Sequence, residues 1–192
     1  FLNLVRAELS ASEISVVEFN PWMFSGSEQL VQTFFGEIST QLKLKASLAE
    51  IAEAVSSYGE VFSSLSWVPV VGWGAAALHW ASKAVNFSVH QKAAKDRNIG
   101  AKRKRIELAL KPLEKPIVVM IDDIDRLASS EIKDLFKLVR LVANFPNIAY
   151  VLAFDRVRVE QAIDDTAVPG RAYLEKILQL SWDLPEISPE IL

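Results

Sequence analysis

Three aspartates follow a short apolar stretch, at a spacing that favours shared chemistry. Asp122, Asp123 and Asp125 come directly after Ile117–Ile121, in which every side chain is apolar. Such a run is typical of a strand buried on both faces of a parallel sheet. In open parallel sheets, ligands bind beyond the carboxyl ends of the strands, so these carboxylates would face a ligand. Because consecutive residues leaving a strand point in opposite directions, Asp122 and Asp123 would have different tasks.

Adjacent acids of this kind fit the Walker B arrangement of P-loop NTPases. In that arrangement one carboxylate binds Mg²⁺, usually through water, and its neighbour orients or deprotonates an attacking water. Two other interpretations stay open. Strand ends are often simply polar, with aspartate capping the loop. The pair Asp123 and Asp125 also matches the two-carboxylate metal site of phosphotransferases and of the Toprim domain. Toprim would need an acid followed by glycine after an earlier strand, but Glu18 is followed by Phe19.

A further acid, Asp155, follows another predicted strand, Ile148–Phe154. It could belong to the same ligand-binding edge. It could equally be the N-cap of a helix over Arg156–Ile163, because aspartate is a favoured N-cap residue.

The composition fits one globular domain with a sizeable core, since 51% of the 192 residues are hydrophobic and 23% are charged. A net charge of -3 argues against a nucleic-acid partner. The absence of cysteine excludes disulfides and cysteine-ligated zinc, and it is compatible with a cytoplasmic location. Phe1, Leu4, Val5 and Leu9 have the spacing of one helix face, so the sequence opens within a predicted helix. The chain is therefore interpreted as a piece of a longer protein.

Strands and helices alternate along the predicted domain. Strands are predicted at Ile14–Phe19, Ile117–Ile121, Ile148–Phe154 and Leu178–Leu184. Helices are predicted from Phe1 to Leu9, from Ser27 to Leu42, over Ala46–Tyr58, and from Ser129 to the residue before Pro146. Gln91–Lys111 predicts a basic helix, or two helices broken at Gly100. This alternation predicts a three-layer α/β domain with a parallel sheet.

The uncharged stretch Val61–Ser82 raises the question of a membrane helix, which needs about 20 apolar residues. A single crossing would separate two strands that share one sheet, and two crossings need about twice that length. Because Pro69, Gly72 and Gly74 interrupt the stretch, we expect an apolar hairpin that packs on protein or enters one leaflet. Lysine and arginine dominate the residues beyond it. Val61–Arg105 would therefore contact a membrane surface, at its cytoplasmic face, or a protein partner.

Four sequence blocks occur in the same order as in the KAP family of P-loop NTPases, which is related to the AAA+ and STAND ATPases. The blocks are Glu18–Trp22 (EFNPW), Ile121–Leu127 (IDDIDRL), Val151–Arg156 (VLAFDR) and Tyr173–Leu180 (YLEKILQL). On these blocks the chain resembles that family over nearly its whole length outside the middle insert. The resemblance implies a nucleoside triphosphatase that uses ATP or GTP with Mg²⁺.

The resemblance also implies roles for individual residues. Asp122 would be the Walker B acid that binds Mg²⁺, and Asp123 would be the catalytic acid or base. Asp155 would lie at the sensor position on the next strand. Asn20 would orient water or the γ-phosphate. Trp22 belongs to the same block as Asn20, but a buried core aromatic is its expected role.

One more position in these blocks has an open role. Arg126 would pair with Asp123 or Asp125, or face a neighbouring subunit.

The implied fold is a three-layer, parallel-sheet P-loop NTPase core that lacks its first strand and its phosphate loop, because that loop would end just before Phe1. None of the 7 glycines lies in a Gly-x-x-x-x-Gly-Lys pattern. The chain then divides into three parts. Residues 1–45 begin the core, residues 46–112 form a helical insert with an apolar hairpin at 61–82 and a basic helix, and residues 113–192 complete the core.

The function implied is a Mg²⁺-dependent conformational switch in phage exclusion or defence, and the resemblance permits a homo-oligomer. This stretch alone would be inactive, because the absent loop supplies most phosphate contacts. The alternative is a degenerate NTPase fold that serves as a protein- or membrane-interaction scaffold without catalysis. A Gly-Lys-Ser/Thr sequence directly before Phe1 would favour the enzyme, and its absence would favour the scaffold.

Overall fold

The computed structural model describes four stretches of the chain, residues 1–24, 30–63, 89–164 and 169–184. Their helices are α1 (Leu2–Ala11), α2 (Leu30–Lys43), α3 (Ala49–Ser63), α4 (Val89–Leu110), α5 (Ser129–Lys137, continued by a π-helical turn over Leu138–Val142), α6 (Arg156–Ile163) and α7 (Gly170–Glu175). Short 3-10 turns span Pro21–Phe24, Ala46–Leu48 and Ile124–Arg126.

A parallel sheet of three strands lies between these helices. The strands are β1 (Ser15–Phe19), β2 (Ile117–Ile121) and β3 (Ile148–Leu152), in the order β1-β2-β3. In register, Phe19 lies opposite Ile121, which lies opposite Leu152. All three strands therefore end at the same edge of the sheet.

Helices cover both faces of the sheet, which gives three layers. Phe19 of β1 packs edge-on against Phe34 of α2, with ring centroids 5.1 Å apart. Glu18, one residue earlier, forms an ion pair of 2.7 Å with Arg6 of α1. Because successive strand residues point to opposite faces, α1 and α2 cover opposite sides of β1. The predicted three-layer parallel α/β fold is confirmed.

The central strand has the burial that its apolar run predicts, whereas β3 does not. All five residues of β2 are buried. In β3 the side chain of Ala149 is exposed and the other four are half-buried, and the strand ends at Leu152 rather than at Phe154. Within the described residues β3 pairs with β2 alone, so it is an edge strand with only partial cover.

A glutamine side chain closes the outer edge of β1. The Gln41 carboxamide oxygen accepts the Glu18 backbone N–H (2.9 Å), and its nitrogen donates to the Glu18 carbonyl oxygen (2.7 Å). This side chain occupies the positions that a neighbouring strand would use, which protects the edge from pairing with another chain.

Helices α3 and α4 are part of the main core, although they lie in the predicted insert. Ile51 and Val55 of α3 and Ile106 and Leu110 of α4 are buried in one cluster with Val119 of β2. The division at residues 46–112 remains a prediction about the sequence. In space these two helices belong to the body that supports the sheet.

The first helix is less buried than its spacing predicts. Val5 and Leu9 of α1 are half-buried, as is Leu2, but the side chains of Phe1 and Leu4 are 68% and 74% exposed. The apolar face that packs on the described part of the protein is therefore the one through Leu2, Val5 and Leu9.

The predicted break at Gly100 is absent, because α4 continues through that residue. A glycine inside a helix costs only about 1 kcal/mol relative to alanine. The helix is anchored beyond the glycine by Ile106 and Leu110, both fully buried. Such anchoring outweighs one unfavourable residue.

The predicted strand Leu178–Leu184 is also wrong, since these residues form no strand in the structure. Their apolar side chains alternate as in a strand, but a strand needs a partner for its backbone groups. The segment is held by side chains instead: Arg156 contacts Ser181 and forms an ion pair of 3.3 Å with Asp183.

The predicted apolar hairpin lies almost wholly outside the described residues, which end at 63 and resume at 89. Val61, at its start, is buried. In the stretches that the structure describes, none of the helices combines the length and the apolar character needed to cross a membrane.

Replacing Gly100 with alanine should stabilise the protein by up to about 1 kcal/mol, because a Cβ at this position meets no atom within 4 Å. The contrasting variant is Gly170→Ala. Its Cβ would lie 2.0 Å from the Glu160 carbonyl oxygen, so we expect a loss of about 1–3 kcal/mol. Urea unfolding measures both changes. Destabilisation by Gly100→Ala would contradict a continuous α4.

Candidate functional site

The polar residues that follow β1 and β2 meet at one edge of the sheet. Asn20 comes directly after Phe19, and Asp122 directly after Ile121, the residue opposite Phe19. The Asp122 N–H donates to the Phe19 carbonyl oxygen at 3.4 Å, which extends the register one step beyond the strands. This is the edge at which parallel α/β sheets bind ligands.

Asp123 has an uncommon backbone conformation, which determines the direction of its side chain. Its φ is 58°, in the left-handed region, and its N–H donates to Oδ1 of Asp122 at 2.8 Å. For a residue with a Cβ this conformation costs about 1–2 kcal/mol. Such local strain occurs often at functional sites. The chain turns sharply here and enters the 3-10 turn Ile124–Arg126.

Both carboxylate oxygens of Asp123 have a partner. Asn20 Nδ2 donates a hydrogen bond to Oδ2 at 2.7 Å, and Arg126 Nε forms an ion pair with Oδ1 at 2.8 Å. The Asp123 side chain is 23% exposed, so it remains accessible to solvent. Two short, charge-assisted contacts fix the plane of the carboxylate as well as its position.

The Asn20 amide connects the two strand ends. Its Oδ1 accepts the Trp22 N–H at 3.1 Å, which fixes the amide so that its nitrogen faces Asp123. An asparagine that accepts from the residue two places on forms a local turn and is common after strands. The structure thus places Asn20 against Asp123; a direct role toward water or phosphate remains a prediction.

The expectation that Trp22 is a core aromatic is wrong. In the 3-10 turn after β1, Pro21 is buried and Trp22 is 49% exposed. The Arg126 guanidinium carbon lies 5.5 Å from the centroid of the Trp22 ring, within the range of a cation–π contact. Of the three partners predicted for Arg126, the structure shows Asp123.

Asp122 is exposed and suits a cation better than a phosphate. It borders a cavity of about 350 Å³ that two other carboxylates, Glu18 and Glu37, also line. Protein Mg²⁺ sites often use one or two carboxylates with waters and phosphate oxygens. Asp122 has already accepted the Asp123 N–H, but a carboxylate accepts about four hydrogen bonds. A water-mediated metal contact therefore fits Asp122.

A cage of protein ligands around a metal is not formed. Among the described residues there is no group of three or more histidine, aspartate or glutamate side chains that could hold an ion. The donor set fits a metal that takes most of its ligands from water and a bound nucleotide.

Asp155 has the structural role that the sequence left open. Its Oδ1 accepts the Arg158 N–H at 2.9 Å, so it is the N-cap of α6. It lies at the same edge of the sheet as the other acids, after β3. The sensor position implied by the resemblance remains a prediction.

The basic run at the end of the predicted insert is largely used inside the protein. Lys102 donates to the Ser57 carbonyl oxygen at 2.7 Å, and Arg105 pairs with Glu53 of α3 at 3.2 Å. Arg103 lies 4.8 Å over the Phe145 ring. These three side chains bind α4 to the core, so a membrane role would depend more on the residues before them.

Three side chains that sequence analysis missed secure the end of α5. Arg103 Nη1 and the Tyr58 hydroxyl both donate to the Val142 carbonyl oxygen at 3.3 Å, and the Tyr150 hydroxyl donates to Ala143 at 2.7 Å. Burial raises the pKa of Tyr150 above its ordinary value, so this hydroxyl keeps its proton. No motif marks these residues, because they come from three distant parts of the chain.

The fold and the paired acids define a P-loop-type α/β domain. The family model described as the KAP family P-loop domain matches residues 1–192, so the chain belongs to the KAP family. The chain is similar to the phage T7 exclusion protein of Escherichia coli (strain K12), with 28% identity over 208 residues. That match covers 96% of this chain but 28% of the relative, so the chain spans less than a third of that protein. No solved structure matches the chain.

Replacing Asn20 with aspartate should destabilise the protein at pH 7 by about 1–3 kcal/mol, because two carboxylates would then meet where a donor now lies. The variant keeps an acceptor for the Trp22 N–H, so the local turn is preserved. Asn20→Ala is the control that removes both contacts without adding charge.

Urea unfolding at pH 7 separates the two effects. The aspartate variant should be less stable than the alanine variant, because it adds repulsion between two carboxylates to the loss of the hydrogen bond. Equal stability of Asn20→Asp and the unchanged protein at pH 7 would show that the contact with Asp123 is unimportant.

Proposed function

We propose that this KAP domain is part of a protein that binds ATP or GTP with Mg²⁺ and hydrolyses it as a conformational switch. One observation carries the proposal. The Asp123 carboxylate is held by a hydrogen bond from Asn20 and an ion pair with Arg126, at the edge where the parallel strands end. This is the position from which a carboxylate can act on a nucleophile beside a bound nucleotide.

Asp123 is suited to orienting an attacking water. Its two described contacts use only part of its capacity of about four hydrogen bonds, so a water can bind in line with a phosphate. The ion pair with Arg126 occupies one side of Oδ1 and leaves the remaining lone pairs of the carboxylate for a water. In a loose phosphoryl-transfer transition state the water is little deprotonated, so orientation matters more than basicity.

Asp122 would hold Mg²⁺ through water, and the metal would neutralise charge on the phosphates when bound. Asp122 borders the acid-lined cavity, and Asp123 contacts Asn20 at the rim of that cavity, which supports different tasks for the two acids.

The biological setting that we propose is phage exclusion. It rests on the similarity to the phage T7 exclusion protein, of which this chain matches only a part. The protein would act in the cytoplasm or at the cytoplasmic face of the membrane, with Val61–Arg105 as the region that contacts a membrane or protein partner.

The second candidate is a scaffold that keeps the NTPase fold without catalysis. One observation favours it: the ion pair between Asp123 and Arg126 occupies one oxygen of the acid that hydrolysis would need. The two candidates differ in whether changing Asp123 affects turnover.

In the full-length protein, Asp123→Asn should retain nucleotide binding and lower the hydrolysis rate by about 10²–10⁴-fold, because the water loses its charged acceptor. Phosphate release in single-turnover conditions measures the rate, and a fluorescent nucleotide measures binding. Asp125→Asn is the matched control. It lies two residues further along the same loop and should remain within about twofold of the unchanged protein. Full turnover by Asp123→Asn would remove this residue from the chemistry and favour the scaffold.

A further inference from the structure

Asp123 and three neighbouring residues, Asn20, Trp22 and Arg126, form a closed ring of contacts. Asn20 binds both the Asp123 carboxylate and the Trp22 N–H. The Arg126 guanidinium lies over the Trp22 ring, and Arg126 also forms an ion pair with the Asp123 carboxylate. Two of these residues follow β1 and two follow β2, so the ring joins the two strand ends through side chains.

We propose that Arg126 and Trp22 are positioning residues for Asp123, with Trp22 serving as the platform that holds Arg126 in place. This inference rests on the proposed function, because positioning has a kinetic effect only if Asp123 handles a water. The sequence predicted Asp123 as one of three partners for Arg126, but it predicted a core role for Trp22.

The ion pair by itself would not fix Arg126. Its side chain is 54% exposed, and an exposed ion pair contributes little because water and salt screen it and long side chains lose entropy. A second contact is therefore needed to hold the guanidinium. The Trp22 ring provides it at 5.5 Å, and the Asn20 hydrogen bond fixes the backbone of Trp22.

The local backbone also directs Arg126 toward its partner. Its N–H donates to the Asp123 carbonyl oxygen at 3.2 Å, which closes the 3-10 turn. This turn brings the side chain three residues later back over the carboxylate. The left-handed conformation of Asp123 starts the turn, so the strain at this residue is linked to the same arrangement.

Arginine is the residue type that both contacts require. A planar guanidinium can stack on an indole and donate from its edge at the same time, whereas an ammonium group acts as a point charge. Lysine at this position should therefore keep part of the interaction with Asp123 and lose part of the contact with Trp22.

The experiment uses the full-length protein with Arg126→Gln, Arg126→Lys, Trp22→Leu and Trp22→Phe. We expect Arg126→Gln to lower kcat about tenfold, with KM changed less than twofold, because Asp123 remains present but loses its orientation. Arg126→Lys should recover part of the loss. Trp22→Leu should lower kcat, and Trp22→Phe, which keeps an aromatic face, should lower it less.

A double variant tests whether Trp22 acts through Arg126. The combination of Arg126→Gln with Trp22→Leu should be no slower than Arg126→Gln alone, since the platform has nothing left to hold. Additive losses would overturn the platform role. A kcat for Arg126→Gln equal to or above that of the unchanged protein would overturn the positioning role of Arg126.

A spectroscopic readout tests the ring independently of turnover. In protein labelled with 5-fluorotryptophan, the ¹⁹F resonance of Trp22 is assigned as the one that is absent from the spectrum of Trp22→Phe. Arg126→Gln and Asp123→Asn should both shift it, and an unchanged resonance would overturn the ring. If the unchanged protein hydrolyses no nucleotide, the proposed function fails. A shifted resonance would then leave the ring as a structural contact and overturn its positioning role.

Discussion

The register between β1 and β2 is the constraint on which the site depends. Phe19 lies opposite Ile121, and the hydrogen bond from Asp122 to Phe19 extends this alignment beyond the strands. A slip of one residue would turn every side chain of a strand to the other face. It would also carry Asn20 out of reach of Asp123, which it now meets at 2.7 Å. The buried faces of the two strands therefore fix the geometry of polar residues that lie outside the core.

Helices α2, α3 and α4 help to hold that register. Phe34 of α2 packs against Phe19, and Tyr58 of α3 extends the aromatic cluster to Phe145, with ring centroids 5.6 Å apart. Arg103 of α4 lies over the same Phe145 ring. Helices α3 and α4, which lie in the predicted insert, thus pack in the same core as the rest of the domain.

Sequence patterns were sufficient where the determinants are local. The continuous apolar run of β2 predicted a buried parallel strand, and Asp122 and Asp123 were correctly placed at its carboxyl end. Sequence patterns were insufficient where contacts between residues distant in sequence determine the local structure. The sequence left open a break at Gly100, but buried residues further along anchor one continuous helix. Leu178–Leu184 alternates like a strand, but no strand of the described residues lies beside it. Trp22 is 49% exposed and contacts an arginine more than 100 residues away, which periodicity does not reveal.

The account holds that two neighbouring acids divide the work at one sheet edge, with Asp123 presented to a water by its flanking donors. A structure of the full-length protein with Mg²⁺, nucleoside diphosphate and aluminium fluoride tests this most directly. The account predicts that an Asp123 oxygen lies within about 3.2 Å of the water in line with the phosphate mimic, with Asp122 on the metal side. A complex in which Asp123 contacts no such water, and another residue does, would contradict it.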